Sequence, residues 1–236
     1  MQYNGRSIRH ELKYEIDEER AFRLRQILSS LIVRDPNMKD PRGYLISSIY
    51  FDDYSNRALE EKLAGNCMRK KIRIRGYDMD DSLIRLECKE KYESFIAKES
   101  TLITRQEYDR ILRGDYDCLR DRPERVCKST FVLAKTRLLH PVVVVEYRRE
   151  AYICREGNVR ITFDKEIAAS TGVMDFYDPA CITNRVMRPG WMILEVKYDD
   201  YLPRVIQQAI GVVGAQQCSA SKYVMCRDQK RKVQFI

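Results

Sequence analysis

Lys71-Ile72-Arg73-Ile74-Arg75 is the stretch whose reading decides the fold. In an extended strand successive side chains point to opposite faces, so the three cations share one face and the two isoleucines the other. A single row of cations at period two usually marks the solvated face of an antiparallel sheet. Here the row recurs. Arg85, Glu87, Lys89 and Lys91 alternate with Leu86 and Cys88, and Arg160, Thr162 and Asp164 alternate with Val159, Ile161 and Phe163. Glu195 and Lys197 alternate with Leu194, Val196 and Tyr198, and Arg9, Glu11 and Lys13 with Ile8, Leu12 and Tyr14. A wet sheet face needs only small polar residues, whereas these strands supply long cations with a carboxylate set among them. The pattern predicts the inside of a charged barrel, with Ile72, Ile74, Ile161 and Val196 packed beneath helices.

Around that stretch, the composition narrows the partners. The formal net charge of +8 favours anions: nucleic acid, an acidic membrane surface or phosphorylated small molecules. At 236 residues the chain can bury a sizeable core, and no linker, repeat or low-complexity tract divides it, so residues 1–236 read as one domain. The eight cysteines include no CxxC and no closely spaced Cys/His set, which points to reduced thiols in a cytoplasmic protein. The first residues lack the apolar run of a signal peptide, and nowhere is there the run of roughly 18 apolar residues of a membrane span.

In chain order, residues 6–16 read as a strand, followed by a helix capped by Asp17 with Ala21, Leu24, Leu28 and Leu31 on one face. A strand at 44–52 is expected to turn Ser48, Tyr50 and Asp52 inward. A short helix from Ser55 or Asn56 to Leu63 ends at Gly65. Strands at 68–77 and up to 91 flank a turn at 78–82, and another strand covers 95–103. Thr104 and Glu107 carry the capping-box signature of a helix that stops at Gly114. A helix at 122–138 precedes a strand at 141–152, which returns through Glu156-Gly157-Asn158 into 159–164. Residues 168–188 read as a loop, 191–198 as a strand, and the chain from Pro203 as helical pieces containing Ser221-Lys222-Tyr223.

Neither GxGxxG nor GxxxxGK[ST] occurs, so phosphate is not cradled by a glycine loop. His10 and His140 are too far apart in sequence to suggest a zinc site or a histidine-based triad. The carboxylates Glu11, Glu87, Asp164 and Glu195 have two roles open. They pair with the surrounding cations, or one or two of them hold Mg2+ or Mn2+ together with substrate phosphates. Most of the fifteen tyrosines fall on apolar-face parity, and side chains inside a barrel cannot reach base edges, so no nucleic-acid partner is expected.

A family resemblance rests on an ordered set of motifs. It runs Arg9-x-Glu11-x-Lys13-Tyr14, Ser48-Ile49-Tyr50-Phe51-Asp52, Lys71-x-Arg73-x-Arg75, Leu86-Glu87-x-Lys89 and Tyr147-x-Arg149-x-Ala151-Tyr152. It continues through Val159-Arg160-Ile161-Thr162-Phe163-Asp164, Leu194-Glu195-Val196-Lys197 and Ser221-Lys222-Tyr223. Together these resemble the VTC domain, the polyphosphate polymerase branch of the triphosphate tunnel metalloenzymes, over nearly the whole chain. The resemblance implies an α+β fold in which an antiparallel eight-stranded barrel forms a tunnel with helices outside. It implies a phosphotransferase that moves the γ-phosphate of ATP onto a growing polyphosphate with Mn2+ or Mg2+. Catalytic roles would fall on Arg73, Arg75, Lys89, Arg149, Arg160 and Lys222, triphosphate binding on Lys13, and the metal on Glu195. The other inner-face residues Arg9, Lys71, Arg85, Lys91, Lys197 and Tyr50 are expected along the substrate path, with Glu11 and Glu87 as further metal candidates. A tripolyphosphatase or nucleoside triphosphatase, or a non-catalytic polyphosphate-binding module, is the alternative. The chain departs from the pattern in two places. Arg9 replaces the first acid of the ExExK motif of the hydrolytic relatives, and Ser219 stands where eukaryotic members carry another lysine. Any membrane or regulatory partner is expected on another chain.

Overall fold

Each period-two run forms a strand in the computed structural model. The model describes the backbone of residues 2–3, 6–92 and 95–233 and the side chains of 9–92 and 96–228. The expected inward or outward direction of Ile8 therefore lies outside the described residues. The long strands are β1 Arg6–Asp17, β2 Tyr44–Asp52, β3 Met68–Tyr77 and β4 Asp80–Tyr92. They continue with β5 Phe95–Ile103, β6 His140–Cys154, β7 Val159–Ser170 and β8 Trp191–Tyr198. All pair antiparallel in the order β7-β8-β1-β5-β4-β3-β2-β6, and β6 pairs back onto β7, so the eight close into a ring. The ladders are unequal. Residues 144 to 154 of β6 pair along β7, whereas among the described residues β1 meets β5 through Ile8↔Ala97 and Arg9↔Ile96.

Six helices are present among the described residues: α1 Glu18–Leu28, α2 Arg57–Leu63, α3 Arg105–Leu112, α4 Arg125–Arg137, α5 Arg204–Val212 and α6 Lys222–Val233. The outward face of the ring is their floor. Ile72, Ile74, Leu86 and Cys88 pack with Tyr108 and Ile111 of α3 and with Val126 and Cys127 of α4. On the other side Ile161, Phe163, Leu194 and Val196 pack with Leu24 and Leu28 of α1 and Ile206 and Ile210 of α5. Each such fully buried aliphatic or aromatic side chain contributes about 1.5–3 kcal/mol, so the oily face supplies the burial that offsets a polar interior. No helix among the described residues is long and apolar enough to cross a membrane. The cysteines are free thiols, and Cys88, Cys127 and Cys226 are buried.

Several boundaries differ from expectation for local reasons. α1 ends at Leu28, so Leu31 is 38% exposed and Ile32 is buried in its place. Asp78 and Met79, both at positive φ, make the β3–β4 turn by themselves, which leaves Asp80 to Ser82 in the strand. β7 continues to Ser170, beyond the expected 164, because Glu166 at φ 56° breaks the alternation without ending the pairing. α4 begins at Arg125 after a separate short turn at Asp117–Leu119. The capping box forms as read: Thr104 Oγ1 accepts from the Glu107 N–H and Glu107 returns the bond to the Thr104 N–H. Gly43, at φ +94°, approaches the Arg149 carbonyl so closely that a Cβ would sit 2.3 Å from it. That contact brings β2 against β6 at the height of the Arg149 side chain.

Candidate functional site

The inward parity of the ring delivers long polar side chains into one cavity of about 410 Å3. Eleven lysines and arginines line it, against Glu11 and Glu195 as lining carboxylates. Of the expected residues, Arg9, Glu11, Lys13, Tyr50, Lys71, Arg73, Arg75, Lys89, Arg149, Arg160, Glu195, Lys197 and Lys222 converge here. Lys91 lies instead in an adjoining cavity of about 210 Å3 that shares Glu11, Lys13, Lys71, Lys89 and Ser221 with the first. Arg85, which faces Arg75 across the β3–β4 ladder, and Glu87 are not among the lining residues of either.

Each carboxylate is the hub of several cations. Glu195 Oε1 accepts from Lys222 Nζ at 2.8 Å and lies 3.6 Å from Lys13 Nζ. Its Oε2 accepts from Lys197 Nζ at 2.9 Å and Arg149 Nη2 at 3.4 Å. Asp164, on β7, holds the Arg149 guanidinium with two parallel bonds of 2.6 and 2.7 Å and also pairs with Lys222. Lys89 Nζ donates to both oxygens of Glu11, at 3.1 and 2.9 Å, and Lys13 Nζ lies 3.2 Å from Glu11. Glu87 holds Arg73 through bonds of 2.7 and 2.6 Å and pairs with Lys98. Arg75 differs. Its bonds go to Ser48 Oγ at 3.4 Å and the Tyr147 hydroxyl at 3.2 Å, with Glu87 no nearer than 3.9 Å.

The electrostatics follow from burial opposed by pairing. Burial pushes the Glu195 carboxyl upward, but Lys197, Lys222, Lys13 and Arg149 together overcome it and hold it well below the usual carboxylate range. Burial likewise raises Glu11, and Lys89 and Lys13 more than reverse it. The opposite balance rules Lys71. Burial, reinforced by Lys13, Lys89, Lys62 and Arg69, brings its ammonium down to about 6. Its amine donates to Ser221 Oγ at 3.1 Å and lies over the Tyr223 ring.

Lys222 comes from a helix rather than a strand. The chain before α6 is strapped to β1, where Gln216 and Gln217 pair with Glu15 and Tyr14 and the Cys218 N–H donates to the Lys13 carbonyl. α6 then starts at Lys222 itself, and Tyr223 fixes its rotation by donating to Asp52. Asp52, expected inside, thus serves as a fastener. Asp52 is the last residue of β2, and its carboxylate accepts from the Ala58 and Leu59 N–H groups of α2.

Sequence reasoning missed Lys98 and four lining tyrosines at the site: Tyr44, Tyr77, Tyr147 and Tyr223 join the expected Tyr50 in the cavity. The parity that placed Arg149 inward also placed Tyr147, and Tyr44 shares the parity of Ser48 and Tyr50. For Lys98 the signal was its position across from Lys89.

The donor chemistry was tested for a divalent metal. No group of three or more His, Cys, Asp or Glu among the described residues could hold one. Glu11 and Glu195 flank Lys13 and present carboxylates to the same cavity. That set fits a cation bound mainly by phosphate oxygens with one or two protein carboxylates, and does not fit an all-protein cage. Glu87, tied to Arg73 and Lys98, is not brought to that place.

A family model described as the VTC domain matches residues 8–229. No curated protein matches the chain. Among solved structures, a conserved hypothetical protein from Pyrococcus furiosus is 13% identical, with 88% of this chain and 91% of that chain covered and a TM-score of 0.45. The Mediator head module of Schizosaccharomyces pombe is 8% identical, with the same coverage of 88% and 91% and a TM-score of 0.44. Likenesses this distant carry no argument about this site.

Proposed function

The chain belongs to the VTC domain family, and on that premise we propose that it is a polyphosphate polymerase-like phosphotransferase, its ring a barrel and its cavity a tunnel for ATP and inorganic polyphosphate. The observation that carries the reading is the charge balance: eleven basic side chains line about 410 Å3, and Glu11 and Glu195 at the lining with Asp164, Glu87 and Asp35 behind it answer fewer than half of them. Such an enclosure repels itself until a polyanion fills it. A narrow interior also excludes duplex nucleic acid, whose base edges are read from a groove.

Phosphoryl transfer through a loose transition state asks a protein mainly to position phosphates and to stabilise charge on their oxygens. Arginines do this with paired hydrogen bonds. Arg149 and Arg73 are held in orientation by Asp164 and Glu87, and present their remaining N–H groups to the cavity. Arg75, bonded to hydroxyls, gives up least on taking a phosphate. Arg160 joins them from β7, and Lys13, Lys89 and Lys222 supply point charges. The acceptor is a terminal phosphate oxygen of the growing chain. It is ionised at neutral pH and needs no strong base, which suits a cavity lined by neither histidine nor cysteine. Glu195, with Glu11 beside it, would hold Mn2+ or Mg2+, which when bound neutralises charge on the phosphate oxygens.

Incubation of the full chain with ATP and Mn2+, followed by separation of long-chain polyphosphate from free phosphate, tests the reading. Polymer is the expected product. Free phosphate alone would assign a hydrolase, and neither product from protein that binds tripolyphosphate would assign a binding module. Arg75→Ala is expected to weaken tripolyphosphate binding by about 1.5–3 kcal/mol, the range for a charged hydrogen bond. Undiminished affinity would remove Arg75 from the grip.

A further inference from the structure

The two ends of the cavity are chemically unlike. On β3, Lys71 and Tyr77 both line it, and the six residue steps from one to the other span about 20 Å at roughly 3.3 Å per residue. Arg73 and Arg75 lie between. Beyond Lys71 the adjoining cavity adds Lys62, Arg69 and Lys91. Among the described residues none of these four cations has a carboxylate within ion-pairing distance. At the other end stand Tyr44 and Tyr77, half-buried, their ring centroids 6.2 Å apart and tilted by 48°. The Tyr44 hydroxyl accepts from Arg160 at 3.2 Å, and Arg160 is anchored by Asp35 at 2.7 Å.

We infer that the cavity has a direction: the Tyr44–Tyr77 pair receives the base of the nucleotide, and the Lys62–Arg69–Lys71–Lys91 end receives phosphate. This rests on the proposed binding of a nucleoside triphosphate. With the triphosphate gripped at Arg73 and Arg75, its base must lie toward one end or the other. An uncharged base at this end would leave the basic side chains of Lys62, Arg69, Lys71 and Lys91 without an anion among the described residues, whereas phosphate supplies one. Aromatic rings offer the base a stacking surface, worth about 1–3 kcal/mol per base and indifferent to which base it is. The rings already touch, so the base lies on the open face of the pair rather than between them. Arg160, beside Tyr44, reaches the phosphate nearest the sugar.

The test measures affinities of the full chain for ATP, GTP and tripolyphosphate, for wild type, Tyr77→Leu and Tyr77→Phe. Tyr77→Leu is expected to lose roughly 5- to 150-fold in affinity for both nucleotides, the fold-change equivalent of that stacking range. Its tripolyphosphate affinity should hold within about threefold, which also certifies the fold, and Tyr77→Phe should restore nucleotide binding. Parallel loss of nucleotide and tripolyphosphate would overturn the inference, as would unchanged ATP affinity in Tyr77→Leu. A tenfold preference between ATP and GTP would do the same, because it demands edge contacts that two rings cannot supply. Wild-type protein that binds tripolyphosphate no worse than ATP overturns the inference alone. Protein that binds neither overturns the proposed function, and the inference with it.

Discussion

Glu195 answers four cations at once, with a side chain 7% exposed. Breaking a buried ion pair by removing one partner costs about 3–5 kcal/mol, because the other charge stays buried. Glu195→Gln is therefore expected to melt well below wild type when empty, and tripolyphosphate should recover much of the difference by supplying the missing negative charge. Thermal melts with and without tripolyphosphate measure both, and equal melting of the two empty proteins would contradict the hub role. Lys71 presents the inverse case. Its folded pKa of about 6 lies below the unfolded value of 10.5, so between those limits the unfolded chain binds more protons. Stability from this group accordingly rises with pH across that window, and the full penalty stands below about pH 6. A phosphate beside Lys71 would draw its pKa back up, so tripolyphosphate binding near neutral pH should take up a proton. Lys98, brought down to about 8 by burial against the pull of Glu87, acts in the same direction. Calorimetry in two buffers of different ionisation enthalpy counts the proton, and Lys71→Met should lower the count.

Among the elements, α2 and α6 share one carboxylate of the ring as a fastener. Asp52, 2% exposed, accepts from two N–H groups of the first turn of α2 and from the Tyr223 hydroxyl at 2.6 Å. Asp52→Ala strands those donors at about 1–3 kcal/mol each, so a loss of several kcal/mol in denaturant unfolding is expected. Because Tyr223 orients the turn that carries Lys222, tripolyphosphate affinity should fall too, and a destabilised variant with full affinity would uncouple α6 from the site. Element identity was legible where one local rule acted alone. Period two gave β3, β4 and β8, and the Thr104–Glu107 pair gave the start of α3. Where a bulge intervened the pattern lost its phase, as where Glu166 hid the end of β7, and Asp52, at the last position of β2, is taken up by α2 and α6, which strand parity does not encode. Tyr44, Tyr77 and Tyr147 were missed at the site because a tyrosine satisfies either face of a strand, whereas a lysine at period two declares one.

At the scale of the molecule, alternation announced a charged interior but not the order of the strands around it. That β1 lies between β5 and β8 depends on pairings between residues far apart in sequence, such as Lys13 with Glu195, which no local pattern encodes. The family resemblance implied an eight-stranded antiparallel barrel and no order of its strands. The oily faces were legible from the same alternation, since the residues opposite the cations are those found under α3, α4, α1 and α5. Closure of the ring has a further, topological consequence. On the proposed reading of the ring as a tunnel, a polymer can pass through it only by offering a free end, so a linear phosphate chain could thread it while a cyclic phosphate could not be strung on it. The middle of a long chain is barred as firmly as a wrong charge. A threaded chain can depart only by reptating lengthwise, so its residence time should grow with length even where added phosphates make no new contact. Sideways escape would require the hydrogen-bonded ladder between two neighbouring strands to unzip.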